Sequence, residues 1–425
     1  MALVPDQPFA KLPRGLAPLG YRNFFLFWIA FATSNSGRWL ELTGSLWIVY
    51  EITSSPLLVG LIGVARAVPG FLLSPIAGVV ADRIDQRGLL IGTQVFSILI
   101  SLSIGALVFA GAVQLWQVYL AIFLQSALWA FDAAGRQAFF PRLVSRANLP
   151  NAVTLFVTAG RVAKFLGPVI AGFAIAGIGE SAPFLLNATT FAVLIPALLL
   201  IRGVPRHVAQ VSATFARDLT EGIRQILFSP ALAGLFKMEV VFGLFEMNAV
   251  MIAIIARERL GVGPEAMGLL LSAPALGSFV GIAWLVTMGH ARRQGRFSLV
   301  SVLAYSVVLL FVAFSTTYSV TFIALALVGA LDSLATITRN SILQLAAPPA
   351  MRGRVMSSMG LVTRGLSPLA ETQSGLLASF LGPTYTLIGS AVALALAAGI
   401  TIRTNPALWA FSSKEEPEAP PSDRA

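Results

Sequence analysis

The 425-residue sequence predicts an all-α membrane protein of twelve transmembrane helices in two pseudo-symmetric six-helix halves. Three observations carry that expectation. The chain is 56% hydrophobic and only 11% charged, with a mean hydropathy of +0.82, whereas a soluble domain carries about 25% charged residues. Its apolar residues fall into twelve runs, and a helix needs about 20 of them to cross the hydrocarbon core. The second half of the chain also repeats the first.

Between charged or Pro/Gly breaks, the runs are 23–50, 56–80, 89–111, 115–138, 150–177, 181–201, 230–256, 264–288, 297–316, 318–343, 354–380 and 384–402. Segments 1, 4, 5, 7, 10 and 11 hold charged residues well inside the run. Such groups are costly in lipid and face a bundle interior or a wet cavity. Segments 3, 6, 9 and 12 hold none and are expected to face lipid. Residues 1–22 read as a cytoplasmic tail and 203–229 as a cytoplasmic linker between the halves 23–202 and 230–403. Residues 404–425, rich in Pro, Glu and Ser, read as a disordered tail. In the linker, Phe215, Leu219, Ile223, Ile226 and Leu227 recur at helical spacing beside Arg217, Asp218, Glu221 and Arg224. That pattern predicts an amphipathic helix, serving either as a connector that shields its own apolar side or as a contact with the membrane surface.

Charge placement gives the orientation. Of 29 Lys and Arg, the odd-numbered loops hold only Arg257 and Arg259, while the even-numbered loops and both tails hold most of the rest. The positive-inside rule then places both termini in the cytoplasm. It also accounts for the net charge of +10 without nucleic acid as a partner. With no cysteine and only His207 and His290, both in predicted loops, no metal centre or thiol chemistry is expected, nor any cofactor. No cleavable leader is expected either, because the first apolar run is too long for one. No Gly-Lys dipeptide occurs, so the chain has no nucleotide-binding loop for a primary pump. A membrane-embedded enzyme is the alternative from a different class, but these residues leave little from which to build its active site.

An offset of 203 places Arg136 on Arg339, Arg161 on Arg364, Gly172 on Gly375 and Gly179 on Gly382. Nearer the start of the halves, an offset of 208 pairs Pro56 with Pro264 and Gly60 with Gly268. Repeats of this kind are known in transporters, with the substrate site between them. Features shared by both halves are expected to be scaffold or gate, and features of one half only to serve substrate or ion chemistry.

The loop after segment 2 reads Gly78-Val-Val-Ala-Asp82-Arg83-Ile-Asp85-Gln-Arg87. With these residues the chain resembles the major facilitator superfamily, whose signature there is Gly-x-x-x-Asp-Arg-x-Gly-x-Arg/Lys. Gly78, Asp82, Arg83 and Arg87 match, and Asp85 stands where that family has glycine. The resemblance implies the major facilitator fold, transport by alternating access, and a gating role for these four residues on the cytoplasmic side. Gly167, Pro168 and Gly172 in segment 5 are similar to the superfamily's exporter-associated Gly-Pro-x-x-Gly-Gly, and such small residues allow close helix packing. An arginine motif found in segment 4 of many proton-coupled antiporters is missing, since Tyr119 to Ser126 holds no Arg. Stretches 47–56, 148–152 and 352–356 resemble a subgroup that includes the enterobactin exporter and macrolide efflux proteins. That resemblance implies a bacterial inner-membrane exporter, with the proton as coupling ion and a monomeric chain. An importer on the same fold is the alternative.

Six acidic residues lie inside spans, Glu41, Asp132, Glu239, Glu246, Asp332 and Glu371, against six basic ones. This balance fits a bulky amphipathic or mixed-charge small molecule better than a multiply anionic one. Asp132 with Arg136, and Asp332 with Arg339, are expected to form gate pairs, with substrate contact as the alternative. Lys237 and Glu239, near the start of segment 7, are expected to snorkel toward the surface. Arg38 and Glu246 occupy equivalent repeat positions with opposite charge, which suggests either an ion pair between them or local pairing of Arg38 with Glu41. Glu41, Glu246 and Glu371 align with Ala249, Arg38 and Pro168, so none has an acidic repeat partner. A carboxylate in a desolvated cavity is suited to carrying a proton. Glu41 and Glu246 come first in that role and Glu371 after them. Arg161 and Lys164 complete the set expected to serve substrate or proton coupling.

Overall fold

The computed structural model describes residues 12–201, 215–288 and 293–412. Every regular element among them is helical. The helices are α1 (Arg22–Thr53), α2 (Pro56–Arg83), α3 (Gln86–Phe109), α4 (Leu115–Phe139), α5 (Leu149–Ile178), α6 (Ala182–Leu200), α7 (Phe215–Phe228), α8 (Pro230–Phe245), α9 (Ala249–Ile254), α10 (Pro264–Met288), α11 (Gln294–Phe314), α12 (Tyr318–Ala346), α13 (Arg352–Thr404) and α14 (Pro406–Ala410). Ten helical stretches are long and apolar enough to cross a membrane, which makes this a multi-pass membrane protein. One of the ten is the 53-residue α13, far longer than a single crossing. It turns at Gly382, whose φ of 78° and ψ of 162° suit glycine, with Pro383 opening the next arm. The 32-residue α1 is long enough to cross but falls outside the ten, because Arg38, Glu41 and several Ser and Asn residues interrupt its apolar run. With α1, and with α13 taken as two arms, the long helices correspond to the twelve expected segments, six to a half.

Segment 7 differs from its expected continuous form. It divides into α8 and α9 across Glu246–Asn248, where Glu246 is extended at φ −66° and ψ 155°. The Asn248 side chain caps α9 by accepting from the Met251 amide, and the Met247 amide donates to the Tyr305 hydroxyl at 2.7 Å. The stretch 404–412, expected to belong to a disordered tail, is structured. Asn405 caps α14, Leu408 is fully buried, and the Gly295 amide donates to the Phe411 carbonyl. Apolar Leu408, Trp409 and Phe411 give this stretch something to pack. Residues 413–425, most of the linker (203–214), His207, His290 and the first eleven residues lie outside the described set. Arg14–Gly20, expected to be tail, forms a 3₁₀ helix, and the Arg14 carbonyl accepts from Asn151.

The two halves meet through α2 against α13 and through α5 against α10, with slighter contacts of α1 and α2 with α9. Repeat glycines make both principal contacts. A Cβ added to Gly60 would lie 2.7 Å from the Gly375 Cα, and one on Gly268 would lie 3.1 Å from the Gly172 Cα. Gly60 matches Gly268 and Gly172 matches Gly375 in the repeat, so one contact is the pseudo-symmetric copy of the other. Both lie toward the end of the bundle that carries the 54–55, 110–114 and 260–263 connections. Gly78 lies 18 residues beyond Gly60, five turns along the same face of α2, and a Cβ there would meet nothing within 4 Å. Gly353, Gly360 and Gly365 on α13 are equally open. The halves are therefore closed at the Gly60 end and splay apart toward the Asp82 end.

Candidate transport site

Inside the N-terminal half, α1, α2, α3, α4 and α6 line a partly open cavity of about 120 Å³. Arg38, Glu41, Arg66, Gln125, Trp129 and Phe191 are among its lining residues. The Arg38 guanidinium lies 3.1 Å from the centre of the Trp129 ring and donates to Asn35 Oδ1 at 3.4 Å. Cation–π attraction of this kind is strongest where water is excluded. Glu41 accepts from Asn187 Nδ2 at 2.5 Å, and Asn187 also donates to Ser101, which accepts from Gln125. Neither expected partner of Arg38 is in place. Among the described residues, no carboxylate approaches it within salt-bridge distance, Glu41 and Glu246 included. Glu246 lies in the unwound step of segment 7, where the charged groups around it are Asp332, Lys164, Glu239 and Arg339. A rigid offset match fixes which positions are equivalent, but it does not bring equivalent positions together.

The remaining buried charges are paired. Arg136 Nε meets Asp132 Oδ2 at 2.5 Å, and Arg136 Nη2 donates to Ser34. Gln94 Nε2 adds a bond to Asp132 Oδ1 at 2.8 Å. In the other half Arg339 takes Glu239, not the expected Asp332, at 2.6 Å, while Thr336 donates to Asp332. Glu239 is 2% exposed and accepts a second bond from Thr363, so it does not snorkel; Lys237 alone is exposed. The repeat explains the exchange. Asp132 aligns with Ala335 and Glu239 with Phe31, so each half keeps one arginine–carboxylate pair but takes the carboxylate from a different helix. Arg66, on α2, donates through Nη1 to both oxygens of Glu371 on α13, at 2.6 and 2.8 Å. The sequence reading left out Arg66 and Glu239 as site residues. The alignment of Arg66 with Pro274 is the one-half-only signal that could have found the first.

At the gate loop, Asp85 caps α3 by accepting from the Gly88 amide at 3.1 Å, which is the use made of the residue replacing the signature glycine. Arg87 donates to the Leu199 carbonyl, Arg83 is exposed, and among the described residues neither Asp82 nor Arg83 forms an ion pair. Gly167 packs on Trp39 and Ser36 of α1, and the Pro168 carbonyl lies against Gly268. Lys164 is exposed, 5.5 Å from the Trp39 ring centre, and Arg161 is half-buried. At the closed end, Arg257 bridges to Glu51 at 2.6 Å and lies over Trp47, joining the halves there.

Two pseudo-symmetric helical halves, closed at one end beside paired charges and with a polar and aromatic cavity in the N-terminal half, not between the halves as the repeat suggested, have the architecture of a membrane transporter. Residues 14–421 match the family described as transmembrane secretion effector, and the chain belongs to that family of the major facilitator superfamily, which comprises transporters and not enzymes. The multidrug efflux pump Tap of Mycolicibacterium fortuitum is 24% identical over 87% of this chain and 93% of its own. The enterobactin exporter EntS of Shigella flexneri is 26% identical over 66% of each. Among solved structures, a POT family transporter in complex with 5-aminolevulinic acid covers 95% of this chain and 99% of its own, with a TM-score of 0.73 at 16% identity, a likeness of fold alone.

Proposed function

We propose that the chain is a proton-coupled exporter that moves a bulky amphipathic small molecule across a bacterial inner membrane by alternating access, acting as a monomer with both termini in the cytoplasm. The observation that carries this reading is the cavity holding Arg38 and Glu41. Both are ionisable groups without an ion-pair partner, set among Trp39, Trp129 and Phe191. Aromatic walls suit an apolar body, and one group of each sign suits a mixed-charge cargo. Glu41, held by a single asparagine, is the group assigned to proton exchange, with Glu246 second. Under the orientation read from the positive charges, the open Asp82 end faces the cytoplasm, from which an exporter loads. Similarity to the efflux pump Tap and to the enterobactin exporter supports export over import.

The test uses inverted vesicles with an acidic lumen, and a fluorescent amphipathic dye and enterobactin as probes. Gradient-driven uptake that collapses with a protonophore is expected, falling about tenfold or more in Glu41→Gln. Uptake that persists after collapse of the gradient overturns proton coupling. Uptake confined to right-side-out vesicles overturns export in favour of import.

A further inference from the structure

Glu371 stood behind Glu41 and Glu246 as a coupling residue, and its geometry moves it forward. Among the described residues, two ion pairs join the halves. Glu51–Arg257 lies at the closed end, with the Glu51 side chain 45% exposed. Arg66–Glu371 lies deeper, between α2 and α13, with the carboxylate side chain only 7% exposed and the guanidinium 27%. The pair sits directly beside the glycine contact that closes the bundle. A Cβ on Gly63, one turn before Arg66, would lie 2.9 Å from the Glu371 Cβ. Arg66 also lines the cavity, so one side of the pair is dry and the other reaches the transport site.

The pair has no pseudo-symmetric copy. The repeat positions of Arg66 and Glu371 are Pro274 and Pro168, whose carbonyls lie against glycines of neighbouring helices. Scaffold is shared by the halves, as the two glycine contacts show, and this charge pair is an addition to one contact only. On the other helices packed against α13, the described carboxylates are engaged elsewhere, and Lys237 of α8 is exposed. Glu221 of α7 meets Arg354, and Glu239 of α8 meets Arg339 and Thr363. Tyr305 of α11 holds the Met247 amide, and Asp332 of α12 accepts from Thr336. The neutral Asn248 donates to the Ala370 carbonyl and to Ser374, on either side of Glu371. Among the described residues, Arg66 alone bonds this carboxylate.

We infer that Arg66–Glu371 is the proton-releasing latch of the transport cycle. For the closed end to open, α2 must part from α13 at this level, and Glu371 then loses its guanidinium. An unpaired carboxylate among helices is costly, and a proton from the newly admitted water neutralises it. When the helices close again, Arg66 returns to the carboxylate, and the displaced proton passes to water in the cavity that Arg66 lines. One proton thus crosses with each return stroke, opposite in direction to exported cargo. This inference rests on the proton-coupled reading above.

The absence of cysteine makes the motion measurable by spin labelling. Ala112 and Thr316 are exposed, lie at the closed end and belong to opposite halves, so Ala112→Cys with Thr316→Cys reports on that end. Lowering the pH from about 8 to about 4 is expected to lengthen the label distance in the otherwise unaltered chain. Glu371→Gln is expected to show the longer distance at both pH values. It is also expected to lose gradient-driven uptake about tenfold while keeping cargo exchange without a gradient. A Glu371→Gln protein that keeps the pH-dependent distance change, or keeps gradient-driven uptake, overturns the latch. So does a double-cysteine chain with Glu371 intact whose distance ignores pH, a readout that does not depend on Glu371→Gln folding. Loss of proton-driven uptake in the unaltered chain would instead overturn the proton-coupled reading itself.

Discussion

Glu239 and Asp332 face the same arginine from different helices, and only Glu239 reaches it. Removing one member of a buried pair leaves an uncompensated charge, typically a loss of about 3–5 kcal/mol. Glu239→Ala should therefore lower the unfolding midpoint in detergent far more than Asp332→Ala, for which a loss of about 1 kcal/mol is expected. Equal losses would restore Asp332 as the partner. The contrast also marks what could be read at this scale. Asp132–Arg136 follows from spacing, because i and i+4 meet on a helix. Glu239–Arg339 bridges two helices separated by about a hundred residues, and no spacing rule reaches across that distance. Arg38 and Glu41 were singled out as asymmetric and prove to be charges without an ion-pair partner, but Trp129 and Asn187, which hold them, carry no charge to draw attention.

Among elements, the helices themselves were legible because apolar runs of membrane length leave few alternatives. The departures were local. Segment 7 has no Pro or Gly within Glu246–Asn248, and the N-cap preference of Asn248 is the one local signal of the step there; the step is held from outside by Tyr305, Ala370 and Ser374. Asn248→Ala removes a helix cap together with two bonds to α13, and a loss of about 1–2 kcal/mol is expected in detergent unfolding. An unchanged midpoint would mean that the step is held by packing alone. The glycine contacts make a stronger prediction. Gly60→Val places branched carbon where the Gly375 backbone lies, so the spin-label distance between Ala112→Cys and Thr316→Cys should lengthen against the same cysteine pair with Gly60 intact. Gly78→Val meets open space in this state and should leave that distance unchanged.

For the molecule as a whole, sidedness is the property read from composition that most needs a direct check. With no native cysteine, Ala112→Cys should react with an impermeant maleimide on intact cells, and Ala147→Cys only after lysis. The reverse pattern would invert the orientation. The pairing of the halves was partly legible, since the repeat glycines were recognised as equivalent before their contacts were known. That Gly60 meets Gly375, and not its own repeat partner Gly268, follows from the rotation relating the halves and not from the alignment. The two contacts also sit well off-centre, and this sets the mechanical advantage of the assembly. From Gly60 to Arg83 is about 35 Å of helix at 1.5 Å per residue. A tilt of about 10° about the glycine fulcrum therefore swings the far tip by about 6 Å, roughly one helical radius with its side chains. The bundle is a lever with a short arm at the ion pairs and a long arm at the Asp82 loop. A shift of about 1.6 Å at Arg66, six residues from Gly60, becomes an opening of about 6 Å at the loop, wide enough to admit an aromatic ring.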